Sequence, residues 1–238
     1  MWKEIRQLFQ KETLCDEAFR EALAMLEASE SMFCDAVASL RSEGALDYAA
    51  TCSSPADSTA GLDIYERDRL INKSEREIRR KIVTHLAIST SPDANMALVL
   101  TAIVIDIERI GDITKNIVEL AADIEHAFDG GEIEKDVSAV ESTVSRMYET
   151  ILPALQEGDE EKARQIIEDH KRVTFTVEEN LMKLVTGLVL TDNSAVAATA
   201  TLYLRYLKRI SAHLKNIATS IVNPYYRIGF REKTEQME

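Results

Sequence analysis

Ile107-Glu108-Arg109-Ile110-Gly111-Asp112-Ile113-Thr114-Lys115-Asn116-Ile117 and Leu207-Lys208-Arg209-Ile210-Ser211-Ala212-His213-Leu214-Lys215-Asn216-Ile217 align without a gap, at an offset of 100 residues. In a chain of 238 residues that offset means a duplicated half rather than a many-unit array. Apolar residues recur in both copies at the spacing of one helix face. The first copy carries Glu108 and Asp112, two carboxylates one turn apart on one face, with Asn116 one further turn along. The second copy has Lys208 and Ala212 in their place and keeps only Asn216.

Working outward, 8 Gly and 4 Pro among many Ala, Leu, Glu, Lys and Arg leave few turns and favour long helices. The expected fold is all-α, two three-helix bundles related by internal duplication. Residues 1–130 form the N-terminal bundle with the intact carboxylate motif, 131–224 the C-terminal bundle with the degenerate one, and 225–238 a tail. The spacing predicts a first helix over residues 12–40 and an exposed loop over 48–61, where small polar residues and Pro55 break helical order. A second helix is predicted over 62–89. Ser91 and Pro92 then carry the start signal of a third, which runs to about Phe128 before Gly130 and Gly131. A fourth spans 132–155 with a break near Pro153 to Gly158, a fifth 159–190, and a sixth is capped among Asp192, Asn193 and Ser194 and ends before Pro224. The tail shows no clear period, and partial disorder is expected there.

The formal charge of −13 excludes a nucleic-acid surface, because phosphate binding needs a basic stripe and the Lys and Arg here are interleaved with acids. Cys15, Cys34 and Cys52 are odd in number, with no paired spacing and no secretory leader, so reduced thiols and a cytoplasmic location are expected. No apolar run approaches the roughly 20 residues that cross a bilayer. Membrane association is expected only through partners.

If the second and third helices form a hairpin turning near residues 90 and 91, facing residue numbers total about 180. Asp112 then faces Asp68, and Glu108 faces Asn72, again one turn apart. Oxygen-bearing side chains from two helices would meet in one patch, an arrangement suited to a metal. The same test on the second half, with a turn near 192, leaves Asp169 and Val173 as the nearest equivalents of Asp68 and Asn72, so that patch reads as disabled. The bland alternative is that Glu108 and Asp112 are solvated helix charges, with Asp112 engaged by Lys115 three residues on. His85, His126, His170 and His213 read as packing residues, with His213 filling the vacated patch, and Asn216 as a fastener between helices.

The block Ile107 to Asp112 followed by Asn116, preceded by Ser91-Pro92 and a helix containing Asp68 and Asn72, resembles the PhoU family of phosphate-signalling regulators. The repeat with Arg209, Ile210, His213, Asn216 and Ile217 is similar to the second motif of that family. The block from Tyr65 to Leu86 also resembles the PhoU-like domains attached to sodium/phosphate cotransporters. The resemblance implies a regulator of phosphate uptake and signalling that is not an enzyme. Its implied metal ligands are Glu108, Asp112, Asp68, Asn72 and Asn116. The implied cofactor is a metal ion or multinuclear cluster, iron first, with zinc, manganese, nickel or magnesium as alternatives. Implied partners are the phosphate-transporter ATPase or a sodium/phosphate cotransporter and the sensor histidine kinase of the phosphate regulon. Exposed apolar residues in the tail would let the chain form a homodimer. Two competing readings are a metal-free helical adaptor and a carboxylate-bridged di-metal oxidase. The oxidase ranks lower because no Glu-x-x-His occurs where its site would form.

Overall fold

The computed structural model describes residues 13–42, 63–89, 93–188 and 194–232. Among these there are six long helices and no strand: α1 (Leu14–Arg41), α2 (Ile64–Ile88), α3 (Ala94–Asp123), α4 (Glu134–Glu157), α5 (Glu160–Val185) and α6 (Ser194–Val222). Helices α1 to α3 pack on one another as one bundle and α4 to α6 as a second. The two join along α3 against α6, with a smaller contact of α1 against α4.

Four of the six helices start where a side chain takes up amide protons that the first turn leaves unpaired, whereas α4 follows Ile133 with no side-chain cap. Thr13 and Asp16 close a reciprocal capping box at the start of α1. Asp63, Asp93 and Asp159 cap α2, α3 and α5, each carboxylate accepting backbone amides of the first turn. The third helix therefore starts behind Asp93, not at the expected Ser91-Pro92, which lie outside the described residues together with the 48–61 loop, Asp192, Asn193 and Cys52.

Helix α3 also ends at Asp123, earlier than the expected Phe128. The chain leaves the helix to plug Phe128 between the bundles, where its amide donates to Leu40 O (2.9 Å) and its ring meets Tyr203 edge-on. Pro153 does not break α4. The helix continues to Glu157, and the carbonyl that Pro153 leaves without its amide partner belongs to exposed Glu149, where water can serve it. Gly158 then ends the helix at φ 64°, a left-handed conformation that only glycine adopts without strain.

The core is continuous through all six helices, from Phe19, Leu26 and Phe33 in α1 to Leu207, Ile210 and Ile217 in α6. Phe33 stacks on Tyr148 across the α1–α4 contact, with ring centroids 5.2 Å apart. Arg41 adds a polar clamp between the bundles. Its guanidinium pairs with Glu134 and Glu141, donates to Phe128 O, and lies over the Phe128 and Tyr203 rings.

Within each bundle one guanidinium–carboxylate pair ties the first helix to the second, with the charges exchanged between repeats: Asp35 to Arg67 in one, Arg146 to Asp169 in the other. The tail also departs from expectation. Gly229 N donates to Thr219 Oγ1 (2.7 Å), Asn223 Nδ2 reaches Phe230 O (2.9 Å), and Glu232 pairs with Arg164, so residues 224–232 pack back onto α5 and α6. No helix is long and apolar enough to cross a membrane among the described residues.

Candidate functional site

The α2–α3 hairpin brings its acids together as a shared face requires. Asp68 lies opposite Lys115, Tyr65 opposite Glu119, and Ile71 against Gly111, so facing residue numbers total about 183 rather than about 180. The helices approach closely at Gly111, where a Cβ would sit 3.2 Å from Ile71 Cδ1. That close approach lets short acids on the two helices reach the same groups.

Lys115 Nζ donates to Asp68 Oδ2 and to Asp112 Oδ1, each at 3.0 Å, so those two oxygens lie within 6.0 Å of one another. Asn72 Nδ2 turns toward Asp68 Oδ2 at 3.4 Å, presenting its amide hydrogens to the carboxylate. Glu108 is half-buried on the same face. Burial pushes its carboxyl above the ordinary carboxylate range, as do the negative charges of Asp112, Glu75 and Asp68, with Arg109 opposing.

Burial would lower the Lys115 ammonium, but its bonds to Asp112 and Asp68 outweigh that and raise it. Asn116, one turn beyond Asp112, is half-buried and makes no side-chain hydrogen bond to this patch among the described residues.

The structure thus gathers Asp68, Asn72, Glu108 and Asp112, adds Glu75, which the spacing did not indicate, and extends the Lys115–Asp112 pair across the hairpin to Asp68. Glu75 sits two turns after Asp68, is largely shielded, and pairs with Arg79 at 2.7 Å. The register that places Asp68 at Lys115 puts residue 75 opposite Glu108, so the signal was a shift of about three in the facing total. Lys115 engages Asp112 three residues before it, as the reading of solvated helix charges expects, but its reach across to Asp68 lies outside any single-helix pattern. Among the described residues no three acid, histidine or cysteine side chains converge tightly enough to hold a metal. Two carboxylates, Asp68 and Asp112, instead share the Lys115 ammonium, with Glu75 and Glu108 acting on each other nearby.

Among the described residues the second repeat has no such patch. Lys208 pairs closely with Glu178, and Asp169 is held by Arg146 and Arg172. His213 does not fill the vacated place. It leaves that face for the seam between bundles, where His213 Nδ1 and Asn216 Nδ2 both approach Asp106 Oδ1, at 2.7 and 3.2 Å. Asn216 is therefore the expected fastener, and Asp106 its unforeseen acceptor. Cys15 and Cys34 form no disulfide among the described residues, and burial pushes Cys15 up to about 12, so it is not a metal-ready thiolate at neutral pH.

The chain is similar to proteins of known kind. A Pseudomonas aeruginosa protein described as a phosphate-specific transport system accessory protein PhoU homolog is 28% identical over 192 residues, spanning 77% of this chain and 79% of its own. A Pseudomonas putida protein of the same description is 26% identical over 183 residues, 76% and 72% of the two lengths. The crystal structure of PhoU from Pseudomonas aeruginosa superposes with a TM-score of 0.72 at 26% identity, covering 88% of this chain and 95% of that one. PhoU from Streptococcus pneumoniae, at 17% identity and a TM-score of 0.69 over 87% and 93%, shares the fold. The PhoU domain model matches residues 22–121 and 137–221, one segment per bundle, and the chain belongs to the PhoU family.

Proposed function

We propose that this protein is an accessory regulator of phosphate transport that acts by contact with a transport system and its signalling kinase, and that the acid patch of the first repeat is its cation site. Family membership is the observation that carries the regulatory reading, together with the description of two relatives as accessory proteins of phosphate-specific transport. The partners are a phosphate-transporter ATPase or sodium/phosphate cotransporter and a sensor histidine kinase. Association with a membrane follows from theirs. The protein performs no catalysis of its own.

The donor set bears on the cation. Asp68, Glu75, Glu108 and Asp112 offer only oxygen, which suits a hard divalent ion or iron rather than a thiolate-seeking one. Burial first, and then the charges of Asp112, Glu75 and Asp68, raise the Glu108 carboxyl, and added positive charge would relieve the second of these. Lys115 stands between Asp68 and Asp112, so its ammonium must swing away before both can bind one ion. A bound ion would fix α2 against α3 by charge and replace an internal ion pair with a coordinated one.

A metal-free adaptor is the second reading, and one observation favours it: Lys115 already serves the two acids that lie closest across the hairpin. Phosphate uptake separates regulator from bystander. Cells lacking the protein should take up phosphate faster than cells that carry it, and Glu108→Gln with Asp112→Asn should behave like the deletion if the cation is needed. Uptake unchanged by deletion would overturn the regulatory reading.

A further inference from the structure

The second repeat keeps the motif lysine but has lost the acids it would serve. Lys215 occupies the motif position of Lys115, while Ala212 replaces the acid of Asp112 and Lys208 that of Glu108. The half-buried Lys215 ammonium therefore turns to neutral acceptors, Asn216 Oδ1 at 2.9 Å and Gly229 O at 2.7 Å. Two of its three donors are used, and no carboxylate hydrogen-bonds to it among the described residues. Asp106 is the acid whose charge reaches this ammonium, but it is already engaged by His213 and Asn216 and burial outweighs its pull, so a further anion that reaches Lys215 is rewarded.

The lysine lines a groove of about 910 Å3 between α5, α6 and the returning tail, a volume within the range of small-molecule sites. Phe175 on α5 and Phe230 on the tail contribute apolar walls, yet remain 73% and 65% exposed. Arg231 stands beside Phe230 with no ion pair among the described residues. The two acids of the groove are already engaged, Glu178 by Lys208 and Glu179 by Lys183.

His170 adds a neutral polar wall: Ser211 Oγ gives its proton to Lys208 O, so His170 Nδ1 donates to Oγ at 2.9 Å. Burial, with the positive charges of Lys215 and Lys208, depresses His170 to about 4, which marks a local positive field in a strongly acidic chain.

We propose that this groove binds a soluble amphipathic anion, its carboxylate or phosphate head on Lys215 and Arg231 and its apolar body between Phe175 and Phe230. The decayed repeat has thereby become an anion receptor, where the intact one gathers acids. Titration calorimetry on the full chain tests this with sodium decanoate, decyltrimethylammonium and inorganic phosphate.

Decanoate should bind once per chain, and the cation with the same tail and phosphate without a tail at least tenfold more weakly. Lys215→Met should weaken decanoate at least tenfold. Phe230→Ala, on an exposed side chain that leaves the helices untouched, should weaken it at least threefold. Circular dichroism identifies any variant that has lost its helices, and the remaining variant then decides. Absence of decanoate binding, equal binding of the cationic amphiphile or of phosphate alone, or decanoate affinity unchanged in a folded variant would overturn the proposal. Binding to phosphatidylglycerol vesicles without binding of free decanoate would assign the groove to a membrane surface and overturn it as well.

Discussion

At the residue scale the proposed cation site turns on the balance between Lys115 and its carboxylates. Replacing Lys115 by Met removes a positive charge that competes directly with a divalent ion, so manganese affinity measured by calorimetry should rise about tenfold. An unchanged or weaker affinity would mean that the lysine does not occupy the cation's place. Glu108 gives a pH signature. Its folded carboxyl titrates above its ordinary value of 4.5, so the folded state holds the proton more tightly and stability falls as pH climbs through that raised range. Without metal, Glu108→Gln should raise the melting temperature at pH 7 by roughly 1–2 °C and change little at pH 4, because the half-exposed site discounts the effect. Equal shifts at both pH values would contradict the assignment. Glu108, Asp112 and Asp68 were legible from spacing and the hairpin alone. Glu75 was not, because a turn placed about one and a half residues too early slides the facing helix by nearly a turn. Asp106 was invisible for another reason: its partners His213 and Asn216 come from the other repeat, and no local pattern records that meeting.

At the element scale the helices follow from apolar spacing and capping residues, and their ends follow from tertiary contacts. Asp159 and Gly158 could be read directly, since an N-cap acid and a left-handed glycine are local devices. The end of α3 could not, because Phe128 is drawn out of the helix by Leu40, Arg41 and Tyr203, distant in sequence. Asp93→Ala removes the side chain that accepts the Met96 amide and should cost about 1 kcal/mol in chemical denaturation. At the α2–α3 contact, Gly111→Val forces a branched side chain against Ile71 and should cost about 1–3 kcal/mol. It should also separate Asp68 from Asp112 and weaken the cation site. Normal metal affinity in that variant would show that helix spacing does not set the site.

At the scale of the whole molecule, duplication explains both the likeness and the difference of the halves. The shared frame holds two bundles along α3 and α6, and the core passes through the seam without interruption, so thermal unfolding should be a single transition rather than two. Arg41→Met breaks the clamp at that seam, takes the cation from Glu134 and Glu141 while Gly130, Ser138 and Tyr203 still donate to them, and should cost about 2 kcal/mol while keeping one transition. Two resolved transitions in the wild type would mean that the bundles fold separately. Upon this frame the motif face has diverged, a lysine bonded to two carboxylates in the first repeat and a lysine bonded to neutral acceptors in the second. The most direct test is elemental analysis of the full chain after equilibrium dialysis against manganese. The account predicts retained metal in the wild type and in Glu178→Gln of the second repeat, and none in Glu108→Gln with Asp112→Asn. A wild type that retains no metal, or a double variant that retains as much as the wild type, would contradict it.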